Sequence, residues 1–209
     1  MFNLIKKDIL VQKKSIYFIL FYLFIGLVAF KTMPDSATTY LIATTIAFFF
    51  IAGSFSYDEQ NKTYMVINSL PIKRNSLIIS KYISVLIYTL LSLLIIYIFT
   101  LIVFTLKLPY KIELLNLNHV FNVFIASMFL SSILLPIYCK FGYTKARVFT
   151  TLSYLLVFIA FNILGNIGTS IPMLLQGIKF GNLGLLILMS LIFILSMFLS
   201  IKLYENREF

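Results

Sequence analysis

The sequence predicts an all-α integral membrane protein, and its composition, its long uncharged stretches and its charge distribution all support that prediction. Hydrophobic residues make up 61% of the chain and charged residues only 11%, whereas a soluble domain carries roughly 25% charged residues. So few polar side chains could not cover a soluble fold of this length, and lipid is therefore expected to be the main solvent.

Six transmembrane helices are predicted from the uncharged stretches, since a span needs about 20 apolar residues. The fourth stretch is interrupted near its start by Asn116, Asn118 and His119, so its span begins at Val120. The fifth is too long for one span and contains several glycines and Pro172, which predicts a helix followed by a broken segment. The transmembrane domain, 15–209, then holds spans at about 15–33, 37–56, 78–106, 120–139, 148–164 and 183–201.

Lysine and arginine are distributed unevenly between the two predicted sides of the membrane. Thirteen of the seventeen lie in the N-terminal tail, in the loops after the second and fourth spans, and in the C-terminal tail. The other side carries only Lys31, Lys107, Lys111 and Lys179. The positive-inside rule therefore places both termini in the cytoplasm. The net charge of +10 reflects this orientation, and no nucleic-acid partner is expected.

The N-terminal segment, residues 1–14, is predicted to form an amphipathic helix. Its apolar residues fall near one helical face, and its lysines surround the rest: Phe2, Ile5, Ile9 and Leu10 against Lys6, Lys7, Lys13 and Lys14. This pattern is typical of a helix lying on membrane lipid at the cytoplasmic surface.

The longest polar interruption, Tyr57–Lys81, is predicted to contain a second short helix. Asp58 and Glu59 favour a helix start through the macrodipole, and Pro71 would end the helix. Three residues share one face of it: Tyr64, Ile67 and Leu70. A helix of about ten residues with an apolar face, too short to cross lipid, indicates a protein partner.

The sequence also lacks several kinds of chemistry. No carboxylate, lysine or arginine lies in the middle of a predicted span, which argues against a proton- or ion-coupled carrier. No G-x-S-x-G, H-E-x-x-H or G-x-x-x-x-G-K-[ST] motif is present, so no catalytic activity of its own is expected. His119 and Cys139 are the only residues of their types, which predicts neither a metal site nor an internal disulfide.

The polar loop carries the most specific resemblance in the chain. A basic amphipathic N terminus and two spans precede the run YDEQNKTYMVINSLPIKRNSLIISKY, and four further spans follow it. This arrangement resembles a type 2 ABC exporter permease. It is most similar to the short six-span bacterial members associated with bacteriocin, lantibiotic, bacitracin and phenol-soluble modulin export or immunity.

The resemblance implies that the loop holds a coupling helix, which docks onto a separate dimer of ABC ATPase subunits that binds ATP and Mg. The residues assigned to docking are Asp58, Glu59, Lys62, Tyr64, Met65, Ile67, Leu70 and Pro71. It also implies a second permease chain, identical or related, and a broken segment outside the membrane at Gly165–Asn182. The expected location is the bacterial plasma membrane, and the expected cargo is an amphipathic, peptide or lipid-like substrate.

Two other functions stay open at the level of sequence. A six-span substrate-binding membrane subunit of an importer has a similar size. It would not need the long loop, and its docking surface usually consists of small residues on the first span, where this chain has Tyr17, Phe18 and Phe21. A membrane enzyme is the third interpretation, disfavoured by the missing catalytic motifs.

Overall fold

The protein is described here by a computed structural model covering residues 2–29, 35–63, 74–106, 115–152 and 182–205, with Leu155. Every regular element within these ranges is a helix, as the sequence predicts. A short 3₁₀ helix, Gln12–Ser15, joins the first two. In chain order the α-helices are α1 (Phe2–Val11), α2 (Ile16–Ala29), α3 (Asp35–Gln60), α4 (Arg74–Thr105), α5 (Leu117–Phe141), α6 (143–152) and α7 (Asn182–Glu205).

Four of these helices are long and apolar enough to cross a membrane. They lie where the sequence places the second, third, fourth and sixth spans: Leu41–Gln60, Arg74–Thr105, Leu117–Phe141 and Gly184–Glu205. The predicted first and fifth spans extend past α2 and α6 into residues outside the described ranges. The broken segment with Pro172 also lies outside them, so the count of six spans stays a prediction.

The longest helix, α4, reaches beyond the apolar layer of a bilayer. Its 32 residues extend about 48 Å at 1.5 Å per residue, against a hydrocarbon core of about 30 Å. Lys81 lies seven residues after the start of α4, about 10 Å along its axis. This end of α4 can therefore hold charged groups that the centre of a membrane would exclude.

The core of the bundle is built from α3, α4, α5 and α7. The most extensive packing is between α5 and α7, and α3 contacts both α4 and α5. Aromatic rings fill the space between helices: Phe50 stacks on Tyr88 with centroids 5.6 Å apart, and Tyr82 lies 4.9 Å from Phe193. These buried rings fix the relative positions of helices whose outer faces remain apolar.

A chain of hydroxyl groups joins α4, α5 and α7 around a proline. Pro136 lies inside α5 and has no N–H, so the carbonyl of Ser132, four residues earlier, loses its helical donor. Ser196 Oγ on α7 donates to that carbonyl at 2.6 Å. Because this uses the proton of Ser196, the Tyr82 hydroxyl must donate to Ser196 at 2.8 Å and accept from Ser200 at 2.7 Å. The carbonyl freed in one helix is thus satisfied by a second helix and supported by a third.

Candidate functional site

Four charged side chains from three helices form a closed ring of ion pairs at one end of the bundle. We call Lys7, Asp8, Asp58 and Lys81 the ion ring. Lys7 Nζ lies 3.2 Å from Asp8 Oδ1 and 2.6 Å from Asp58 Oδ1. Lys81 Nζ lies 2.9 Å from Asp8 Oδ1 and 2.5 Å from Asp58 Oδ2. Each cation thus contacts both anions, and the formal charges cancel.

The inner half of the ion ring is buried. Asp8 is 2% exposed and Lys81 6%, whereas the side chains of Lys7 and Asp58 are 29% and 20% exposed. The ammonium of Lys81 has three protons and three acceptors, since Ser54 Oγ lies 2.7 Å away in addition to the two aspartates. Removing one partner would leave a buried charge uncompensated, which typically costs about 3–5 kcal/mol. The ion pairs are therefore what allows Asp8 and Lys81 to be charged while they are buried.

Helix α1 packs on the bundle through polar side chains. Asp8 and Gln12 lie one helical turn apart, and both are buried. Gln12 Nε2 donates to the Phe50 carbonyl at 2.7 Å and to the Tyr88 hydroxyl at 3.4 Å. On the outside, Leu10 is 48% exposed. The fully buried side chains here, Asp8 and Gln12, are thus polar, whereas the apolar Ile9 and Leu10 are exposed, where lipid would meet them.

The sequence interpretation missed Asp8 and Gln12 as site residues. It grouped the segment 1–14 by its apolar residues and treated it as one helix, whereas α1 ends at Val11 and Gln12 begins the 3₁₀ turn. The available signal was the spacing of Asp8 and Gln12, which places two polar groups on one face. Their burial depends on partners 38 to 76 residues away along the chain, which no local pattern reveals.

Glu59 binds the start of helix α6. Its carboxylate Oε2 accepts from the backbone N–H of Tyr143 and, at 3.0 Å, from that of Thr144. Oε1 accepts from Thr144 Oγ1 at 2.6 Å. A carboxylate at these first amides satisfies donors that have no helical partner and opposes the positive end of the helix dipole. The end of α3 is thereby attached to the start of α6.

The predicted helix start at Asp58 and Glu59 is wrong. Both residues lie in the last turn of α3, where the macrodipole disfavours negative charge. The groups that offset these two negative charges come from elsewhere in the fold. The lysines of the ion ring pair with Asp58, and the amino end of α6 binds Glu59. Beyond α3, Lys62 is exposed with φ 50°, and its N–H donates to the Glu59 carbonyl at 3.0 Å.

The remaining residues assigned to docking lie outside the described ranges, so their role stays a prediction. They are Tyr64, Met65, Ile67, Leu70 and Pro71. Of the docking residues that the structure describes, Asp58 and Glu59 have partners within this chain, and the Lys62 side chain extends into solvent. Among described residues, no three metal-ligating side chains come together.

These features define a helical membrane protein whose charged groups gather at one end of the bundle, where the 61–73 segment begins and ends. The family described as "ABC-2 family transporter protein" matches residues 3–205. The chain therefore belongs to the ABC-2 transporter family. No significant match is found among curated proteins.

Family membership establishes the general function. The chain is a membrane permease of an ABC transporter, and its partner is an ABC ATPase. The resemblance carried by the Tyr57–Lys81 run is confirmed at this level.

Proposed function

We propose that this chain is the exporter-type permease of its transporter and moves amphipathic peptides or lipid-like molecules out of a bacterial cell. A separate ATPase dimer hydrolyses ATP with Mg, and the permease has no catalytic activity of its own. Two permease chains, identical or related, form the pathway across the plasma membrane. Its functional relatives would include the short six-span exporters of bacteriocins, lantibiotics, bacitracin and phenol-soluble modulins.

The observation that carries this proposal is the family match over residues 3–205. The ion ring adds the second argument, because it bridges the last turn of α3 and the first turns of α4, the two helices that flank the 61–73 segment in the chain. A permease without a phosphate loop must receive work through a contact. That contact needs a firm base, and Lys81 and Asp58, 2.5 Å apart, supply one.

The nature of the spans supports an amphipathic cargo. The polar groups buried between α4, α5 and α7 are hydroxyls such as Tyr82, Ser196 and Ser200. The charged residues of these helices lie near their ends. A small charged solute would need a compensating charge along the pathway, whereas a peptide with an apolar face can be solvated by hydroxyls and lipid together.

The proposal is tested with permease and ATPase reconstituted together in liposomes, with the ATPase side facing outward. A fluorescent amphipathic cationic peptide should accumulate inside on addition of MgATP and should stimulate hydrolysis. A hydrophilic sugar serves as the control cargo. ATP-driven uptake of the sugar without peptide transport would contradict the substrate class. ATP-driven movement of cargo toward the ATPase side would identify an importer instead.

The coupling role of the 61–73 segment is tested by Tyr64→Ala and, as a stronger lesion, Ile67→Asp. If these side chains dock into a groove on the ATPase, truncating the aromatic anchor should cost about 2 kcal/mol, roughly thirtyfold in affinity. ATPase binding to the purified permease measures this directly. Tyr97→Ala is the matched control, because Tyr97 is exposed on α4, about 24 Å along the helix from Lys81. Normal binding and transport by both segment variants would refute the assignment.

A further inference from the structure

We propose that Asp8 and Lys7 are positioning residues for energy coupling. Through the ion ring they make helix α1 move as one body with the ends of α3 and α4. The N-terminal helix is then part of the device that carries a displacement of the 61–73 segment into the spans. This inference rests on the proposed function, in which that segment receives the motion of the ATPase.

The first argument is that α1 is attached to both helices that flank the 61–73 segment. At the level of the ion ring, Asp8 contacts Lys81 of α4 and Lys7 contacts Asp58 of α3. One turn further along the chain, at the start of the 3₁₀ helix that continues α1, Gln12 binds the Phe50 carbonyl of α3 and the Tyr88 hydroxyl of α4. The two levels are about 6 Å apart along the helix axis. An element held at two levels by each neighbour can neither slide nor pivot independently of them.

The second argument concerns what the ion ring adds beyond stability. Buried ion pairs are a weak source of stability, since well-packed apolar residues of similar volume often serve as well or better. Apolar contacts, however, tolerate sliding, whereas the ion ring requires each ammonium to keep its place between two carboxylates. Ser84 Oγ on α4 adds a hydrogen bond to Asp8 Oδ2 at 3.4 Å. The polar attachment of α1 therefore fixes a position rather than merely covering a surface.

The third argument is the location of the ion ring in the chain. Asp58 precedes the 61–73 segment by three residues, and Lys81 follows it by eight. Any force applied to that segment passes along α3 and α4 through these residues, within the last turn of α3 and about the first 10 Å of α4. With the ion ring closed, the force is shared with α1; with the ion ring open, the ends of α3 and α4 can move without it.

The test compares two neighbouring lysines of α1. Lys7→Gln removes a member of the ion ring, and Lys6→Gln removes an exposed charge from the same helix. Each permease is reconstituted with the ATPase, and three quantities are measured: complex formation, ATP hydrolysis and peptide transported per ATP. We expect Lys7→Gln to form the complex but to lose about tenfold in transport per ATP, the scale of coupling within one charge network. Lys6→Gln should match the unaltered protein.

Further variants keep the test decisive. Asp8→Asn should reproduce the loss of transport per ATP. Adding Asp58→Asn to Lys7→Gln should lower transport per ATP by a smaller factor than Asp58→Asn does in the unaltered protein, because both residues act through one ion ring. A purely structural role would lower the amount of folded permease but not transport per ATP. Full coupling in Lys7→Gln, or equal losses in Lys7→Gln and Lys6→Gln, would overturn the inference. If the unaltered permease neither binds the ATPase nor transports peptide, the proposed function itself fails.

Discussion

Charged residues lie at the ends of the described spans, and each buried one has a specific partner. Lys81, for example, has one acceptor for each of its three ammonium protons. Phe55 adds a ring whose centroid is 5.0 Å from Nζ, within the distance at which a cation is attracted to an aromatic face. Charge is thus retained in a bundle of apolar helices because other residues of the chain supply its entire coordination.

Glu59 is the residue at which a single substitution should loosen the connection between α3 and α6. In Glu59→Gln the side-chain amide keeps one acceptor oxygen, but its NH₂ group would face the donors of Tyr143 and Thr144. Losing a helix-capping interaction costs about 1 kcal/mol, so amide exchange at these two positions should quicken roughly fivefold. Hydrogen-exchange mass spectrometry on peptides covering 140–150 measures this.

The matched control for this substitution is Glu205→Gln. It removes the same charge from the end of another helix, while the Glu205 backbone carbonyl still accepts from Arg74 at 3.1 Å. Exchange at Tyr143 and Thr144 should not change in this control. If exchange is equally slow in Glu59→Gln, the carboxylate does not hold the start of α6.

Between whole helices, the most specific contact is the one that satisfies the carbonyl freed by Pro136. Helix α5 remains continuous through this proline, because Ser196 of α7 replaces the missing donor. Membrane helices tolerate proline when a neighbour re-satisfies the backbone in this way. The position of α5 on α7 is therefore set by a specific hydrogen bond as well as by apolar contacts.

The hydrogen bond from Ser196 to the Ser132 carbonyl predicts that the stability cost of Ser196→Ala depends on whether Pro136 is present. Ser196→Ala should strand the Ser132 carbonyl and lower stability by about 1 kcal/mol. Pro136→Ala returns an N–H to α5, so Ser196→Ala should cost less in that background. Thermal unfolding of all four proteins in detergent measures the difference.

Ser190→Ala serves as the control on the same helix. Among the described residues, the Ser190 hydroxyl bonds only to the Ile187 carbonyl of α7, at 2.7 Å. The Ser190→Ala protein should lose little stability, whether residue 136 is proline or alanine. Equal costs of Ser196→Ala with and without Pro136 would show that the proline is not the reason for the contact.

At the scale of the whole molecule, the ends of several helices meet on one side of the bundle. The ion ring gathers α1, the end of α3 and the start of α4, and Glu59 adds the start of α6. Arg74 Nη1 donates to the Glu205 carbonyl at 3.1 Å, which adds the end of α7. The start of α3 lies about 39 Å from its end. These contacts fit the predicted arrangement in which the basic loops share the cytoplasmic side.

The topology is tested with single cysteines in a Cys139→Ala background. Cysteines replacing Asp35 and Glu113 should react with a membrane-impermeant thiol reagent added to intact cells, because the positive-inside rule places both outside. A cysteine replacing Gln60, next to the ion ring, should react only after the cells are opened. The opposite pattern would invert the orientation.

The sequence by itself determined the class of the molecule. Its apolar stretches predict spans because lipid cannot hydrogen-bond an exposed backbone, so length and hydropathy suffice to place a helix. The lysine and arginine distribution predicts the orientation, and the Tyr57–Lys81 run indicated the family that residues 3–205 match. All of these are properties of short, contiguous segments, which is why they could be inferred without a fold.

Only the tertiary structure decided what the charged residues do. Asp58 and Glu59 suggested a helix start, yet they end α3, since Lys7, Lys81 and the amino end of α6 offset the unfavourable dipole. Asp8 drew no attention in the sequence, and it is the most buried member of the ion ring. An electrostatic partner can lie at any separation along the chain, 73 residues for Lys81 and Asp8, so local periodicity carries no information about it. The physical role of a charge in this protein depends on which distant helix end folding brings beside it.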